Sequence, residues 1–284
     1  MKKIMFLVIC LAAAISFGQT VSYWQLDGAT WDGTDSVGNH NLTAIGVNTT
    51  STLRENPIPN PDSTPGFVGD AAANPAASWF SANAAWYSPN TNVEATHDST
   101  FDFDPTKSFT VEGWFRSTAT TSALVGVRHS SVATHVFGGS YKGWAVYLSG
   151  SGTILNFIVD GAAASGYSKL LTASITVNEL THFAAVYDST GFGTGGGSVS
   201  LFVDGELIAS VAAAAEWSSH RGGSLAIGAR DAGTGFNSWM MSGAADEIRY
   251  SSDALSSNEF LNAVPEPATL LVLGLGGMFL RRRK

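Results

Sequence analysis

Ser198-Val199-Ser200-Leu201-Phe202-Val203-Asp204-Gly205-Glu206-Leu207-Ile208-Ala209-Ser210-Val211 is the stretch that decides the fold. Val199, Leu201 and Val203 alternate with Ser200, Phe202 and Asp204, the period of two that turns one face of a strand into a core. A second strand runs from Glu206 to Val211. Asp204-Gly205 between them tolerates the positive φ angles of a tight type I′ turn, so the spacing predicts a hairpin. His182 to Asp188 reads as a strand before it, joined through the Gly-rich segment 189–197. Leu225 to Arg230 and Asp246 to Tyr250 read as two short strands after it.

Working outward, Ser22 to Leu26, Phe109 to Arg116, Trp144 to Leu148 and Asn156 to Asp160 carry further strand patterns. Trp144 shares its phase with Val146 and Leu148 and is assigned to the core. Asn48 to Ser99 is rich in Pro, Asn, Ala and Ser, and reads as long connections around one or two strands marked by Trp79, Phe80, Trp86 and Tyr87. Ser256 to Leu261 reads as one short helical turn closing the domain. Only 13% of residues are charged, against 31 glycines, a composition of short strands and many turns. The sequence holds no internal repeat and no linker between independent domains.

The two ends differ from the body. Lys2 and Lys3 precede an apolar run from Ile4 to Ile15, and the small residues up to Gly18 fit cleavage between Gly18 and Gln19 by a signal peptidase, giving a secretory signal over 1–18. At the other end, Val264-Pro265-Glu266-Pro267 is followed by an apolar run from Ala268 to Leu280 and by Arg281, Arg282, Arg283 and Lys284. The prolines leave an exposed segment, the run enters the membrane transiently, and the cations hold the tail on the cytoplasmic side. A run of about thirteen apolar residues is a poor permanent anchor, since a full span needs about twenty. The other reading is a tail that stays in place as an anchor.

These ends hold six of the fifteen cations and one of the twenty-three acids, so the body sets nine cations against twenty-two acids and carries about −13. Such a surface disfavours nucleic acid. Cys10 is the one cysteine and leaves with the signal, which excludes disulfides and thiol chemistry from the mature chain.

The series THFAAVYD, SLFVDGELIAS, LAIGAR and GAADEIRYSSDALSSNEF, together with Tyr23 to Gly28, Asp35 to Asn39 and Phe109 to Phe115, resembles a laminin-G-like domain of the concanavalin A-like lectin/glucanase superfamily. The resemblance implies an all-β, antiparallel, two-sheet jelly-roll sandwich over 19–262. The last segment, 263–284, resembles the PEP-CTERM sorting signal of exported bacterial proteins. That likeness implies an exosortase cutting near Pro265-Glu266-Pro267, and display at the cell surface, in the outer membrane or in the extracellular matrix.

Several candidate chemistries remain. Gly191 to Gly196 satisfies the dinucleotide fingerprint by letters, but a strand follows where the fingerprint needs a helix. Hydrolases of the resembling superfamily carry Glu-x-Asp-x-x-Glu on one strand, and no such run exists here. Glu112 shares a strand face with Trp114 and Arg116 and reads as a surface pair with the arginine. The resemblance also implies a structural calcium at Asp246, with Asp27 at the end of the first strand beside it; the other reading has Asp246 accepting backbone N–H bonds without metal. Asp98, Asp102 and Asp104 read as a solvated turn. For a glycan, Trp217 and Trp239 in loop-like surroundings and Tyr141 are the stacking candidates. The reading is a non-catalytic module that binds carbohydrate or an extracellular protein, the alternative being a divergent glycan-active hydrolase.

Overall fold

The computed structural model describes residues 19–26, 34–46, 78–80, 84–87, 99–117, 121–127, 143–161, 168–219, 225–228 and 243–262; for 43–46, 78–80, 84–87 and 243–244 it gives the backbone course alone. In chain order the strands are β1 (Thr20–Trp24), β2 (Thr43–Gly46), β3 (Ser78–Phe80), β4 (Ala84–Tyr87), β5 (Phe109–Ser117), β6 (Ser122–Gly126), β7 (Gly143–Ser149), β8 (Ile154–Asp160), β9 (Lys169–Ser174), β10 (Leu180–Asp188), β11 (Ser198–Val203), β12 (Glu206–Ala212), β13 (Ala226–Ile227) and β14 (Gly243–Ser251). One sheet runs β1-β14-β5-β10-β11-β12, with β3 also beside β14; the other runs β2-β4-β13-β6-β7-β8-β9. The pairings are antiparallel, as in the register of β10 with β11 and β5 and of β7 with β8. The signal and sorting segments lie outside the described residues.

The deciding hairpin forms as its letters require. Val203 faces Glu206, while Asp204 and Gly205 hold φ of 50° and 82°, the doubly positive pair of a type I′ turn. One irregularity was not legible: Leu201 faces Ala209 but Phe202 faces Leu207, so Ile208 is an extra residue and β12 bulges.

Inward faces of both sheets supply one core. Phe109, Val111 and Phe115 of β5, Phe183 and Tyr187 of β10 and Ile248 and Tyr250 of β14 meet Trp144, Val146, Leu155 and Phe157 of the opposite sheet. Tyr250, Phe109 and Trp144 form a triangle of rings, the Tyr250 centroid 5.8 Å from each of the other two and those 5.3 Å apart. Trp144 is fully buried, as its phase along the strand implied, and its indole N–H donates to the Phe101 carbonyl at 3.0 Å.

The outer face of the first sheet is covered as well. Residues 252–262 leave β14 and cross back as a strap, packing Leu255 and Phe260 on Ala184 and Val186 of β10 and on Phe202 of β11. Thr110 ties it down, donating to the Asp253 carbonyl at 2.7 Å and accepting from the Leu255 N–H at 2.9 Å. The helical turn expected over 256–261 reduces to a single backbone bond, Glu259 N–H to Ser256 carbonyl. Leu261 N–H, which a helix would turn on its own chain, donates instead to the Glu112 carboxylate at 2.7 Å.

Candidate functional site

Glu112 is the first correction. Its side chain does not form a surface pair with Arg116; it is fully buried beneath the strap. Both Nε and the terminal nitrogen of Arg249 donate to its Oε1, and His182 Nε2 lies 3.1 Å from its Oε2. Arg249 also donates to the Glu259 carbonyl at 2.6 Å, so the same charge network clamps the strap at two points. Burial alone would push the Glu112 carboxyl up, but the His182 hydrogen bond, the Arg249 guanidinium and the Leu261 N–H together hold it below the usual carboxylate range. A carboxylate so committed is closed to a substrate.

Asp246 and Glu247 lie where β14 bulges. The register of β14 against β5 slips between Asp246 and Arg249, and Glu247 takes φ of 52°. That slip leaves Glu247 buried rather than alternating to the surface, and neither of its carboxylate oxygens has a hydrogen-bond partner. Burial pushes its carboxyl up to about 8. Asp246 is 3% exposed. Its expected companion Asp27 lies outside the described residues. Among the described residues no three His, Cys, Asp or Glu side chains gather as a metal cage.

An open concavity of about 360 Å³ lies at the other end of β14, between the 99–108 segment and the end of β1. Tyr250, Phe103 and Phe109, all core residues at 5% exposure or less, close its floor, and Asp102, Asp104 and Lys107 stand around it. Of the expected solvated turn, Asp102 and Asp104 line this concavity, and Asp98 lies outside the described residues. Asp104 accepts from the Thr106 N–H at 2.9 Å and hydroxyl at 2.7 Å. Partial burial pushes its carboxyl up, and these bonds, the Ser219 hydroxyl and the Lys107 ammonium outweigh that and hold it low. Burial, then the Asp102 carboxylate, push the Tyr250 phenol up, so it stays a protonated donor.

Trp217 is the second correction. It is 4% exposed, its ring set edge-on to Phe103 at 5.2 Å and near Tyr187 at 5.8 Å. The loop that carries it is pinned across the sandwich by the Ser218 N–H to Gly161 carbonyl bond, so the indole turns inward and offers no stacking platform. Trp239 and Tyr141 lie outside the described residues. Sequence reasoning also missed what Asp35 does. Its buried carboxylate accepts from the N–H groups of Tyr23, Val37, Gly38 and His40 at 2.9–3.1 Å, fastening the 35–40 loop to β1. The Asp-x-x-Gly spacing was the available signal: a Cβ on Gly38 would come within 2.5 Å of the Asp35 Oδ2.

A family model described as the concanavalin A-like lectin/glucanases superfamily matches residues 88–260, and the chain belongs to that family. The PEP-CTERM protein-sorting motif matches residues 263–284, which marks an exported protein processed at the membrane. No curated protein matches the chain. Among solved structures, the chain is similar to the HCR/D-Sa-GBL1/C crystal structure, at 12% identity and TM-score 0.51 over 88% of this chain and 52% of that one. It is likewise similar to the binding domain of Botulinum Neurotoxin DC in complex with SialylT, at 11% identity and TM-score 0.50 over 88% of this chain and 51% of that one. The Ruminococcus gnavus IT-sialidase CBM40 bound to alpha2,3 sialyllactose matches at 14% identity and TM-score 0.44 over 55% of this chain and 80% of that one. The first two of these likenesses agree with the two-sheet sandwich.

Proposed function

We propose that this is a non-catalytic carbohydrate-binding module exported to the cell surface or extracellular matrix, released there by exosortase cleavage near Pro265-Glu266-Pro267. The observation that carries the non-catalytic half is Glu112: the one acid on the β5 strand face is held by Arg249 and His182 and sealed under the strap. The glycan half rests on the pocket by Tyr250, whose volume of about 360 Å³ suits one or two sugar units. Its buried aromatic residues leave no ring face open for stacking, so recognition rests on the polar rim, where the Tyr250 hydroxyl and the Asp102 carboxylate suit sugar hydroxyls. The sialyl compounds named with structures of like fold belong to those proteins, and the reading here stands on the pocket.

The test is a polysaccharide and glycan panel with the processed protein. Binding without shortened products is expected, and shortened products would favour the hydrolase. Tyr250→Phe combined with Asp102→Asn is expected to weaken binding about tenfold or more, as loss of hydrogen bonds worth about 1.4 kcal/mol or more requires. Unchanged binding would move the glycan elsewhere.

A structural calcium beside Asp246 belongs to the same proposal. The residues fit it in part: Glu247 presents two buried carboxylate oxygens without hydrogen-bond partners, the donors a hard cation takes. Asp246, Glu247 and backbone carbonyls would hold the ion, which would neutralise the buried acid and stiffen the bulge. Calcium is expected to raise the melting temperature and chelation to lower it. An unchanged melt removes the metal.

A further inference from the structure

The concavity by Tyr250 carries a charge pattern that narrows its ligand. Among the described residues that line it, Asp102 and Asp104 are the anions and Lys107 is the cation. Lys107 does not settle the balance: its ammonium lies 3.5 Å from the Asp104 carboxylate on a side chain that is 79% exposed. An exposed pair of this kind contributes little and opens readily. Asp104 itself is fixed. One oxygen accepts from the Thr106 N–H and hydroxyl, and the Ser219 hydroxyl donates to the same carboxylate. The anion therefore stays in place whether or not Lys107 is beside it.

Tyr250 adds a donor. Its ring packs among Phe101, Phe109 and Trp144, which leaves the hydroxyl end to reach the concavity. The residue is 5% exposed, and its hydroxyl makes no hydrogen bond among the described residues. The site thus offers two carboxylates that only accept and one buried phenol free to donate.

Charge selects among sugars. An acidic sugar brings its carboxylate against two fixed anions and the field of a body at about −13, which disfavours it. A neutral sugar brings hydroxyl donors alone. A protonated amine brings three N–H donors and a positive charge, and hydrogen bonds between ionised partners are the stronger class. A protein-held metal is the other cation, yet a hard ion takes six or more oxygens, and among the described residues no three acids or histidines gather.

We propose that the concavity takes an amino sugar with a free, protonated amine, its ammonium held by the Asp102 and Asp104 carboxylates in place of Lys107 and a neighbouring sugar hydroxyl accepting from Tyr250. This rests on the concavity being a glycan site and names the class of glycan.

The test is calorimetric titration of the full chain in detergent with oligomers of glucosamine, of N-acetylglucosamine and of a uronic acid, at a pH that keeps the amine charged. Glucosamine oligomers are expected to bind about tenfold tighter than their acetylated counterparts, the worth of one stronger hydrogen bond, and the uronate oligomers weakest. Added salt should narrow the gap. Asp102→Asn with Asp104→Asn is expected to remove it, and Glu206→Gln, exposed on β12, to keep it. Should the double variant fail to fold, Ser99→Lys replaces it, bringing a tethered ammonium to the rim, with the same loss expected. A gap that survives these variants, or that Glu206→Gln also removes, is attraction to the acidic body at large and overturns the proposal. So does equal or tighter binding of the neutral or acidic oligomers. If that binding is lost in Tyr250→Phe with Asp102→Asn, the glycan site stands and its class alone is wrong. No binding by any of the three defeats the glycan reading and this proposal with it. An oligolysine of equal charge that binds more tightly through the same carboxylates gives the rim to a protein partner and overturns it likewise.

Discussion

The carboxylate of Glu112 shows how much one residue can hold. It joins β5 to β10 through His182, to β14 through Arg249 and to the strap through Leu261, all out of water. Removing one partner of a buried pair leaves the other uncompensated, at a cost of about 3–5 kcal/mol. Arg249→Leu is therefore expected to lower unfolding free energy by about that amount, measured by denaturant titration. The pH response follows in sign. The folded carboxyl sits below its ordinary value, so its stabilisation is complete above the unfolded pKa of about 4.3 and is lost as pH falls through the lower folded value. Melting temperature should fall below about pH 4.3 in wild type, and less steeply in Glu112→Gln. The letters around position 112 fix its strand and its face. They could not name its partner, because Arg249 lies 137 residues away and strand order is not written into the periodicity of one strand. Trp217 was misplaced for a related reason: a loop residue's burial depends on what the loop is tied to, here Gly161.

Elements were legible where local chemistry decides them, as at the Asp204-Gly205 turn and along β5, β7, β8, β10 and β11. Bulges were not, since an extra residue shows only against the strand it fails to match. The bulge in β14 explains Gly113 on its neighbour: a Cβ there would come within 2.5 Å of Ile248 Cδ1 and 3.0 Å of the Glu247 carbonyl. Gly113→Ala should therefore cost about 1–3 kcal/mol by overpacking, read as a lower denaturant midpoint at unchanged slope. Gly193, with no atom within 4 Å of such a Cβ, gives the comparison for space, though its φ of 83° adds backbone strain. The glycines of the 189–197 loop thus serve turn geometry, in keeping with a hairpin connection and not a nucleotide cradle.

At the scale of the molecule, the two sheets, the single core and the family were readable because alternation and motif order extend over the whole chain. The pocket by Tyr250 was not, because it joins residues 21, 99–109, 219 and 250–252 that only the fold brings together. Mass spectrometry of the released protein is expected to find a C-terminus near Pro265 to Pro267, and a terminus at Lys284 would show the tail retained. The strap bears on that step. It is fastened at Leu261, and three residues separate that point from Pro265, a reach of about 14 Å fully extended. An enzyme cutting there works against the wall of a rigid body, so its catalytic cleft must be shallow or open on one side. Lengthening that leash with a flexible insert after Asn262 should hasten release.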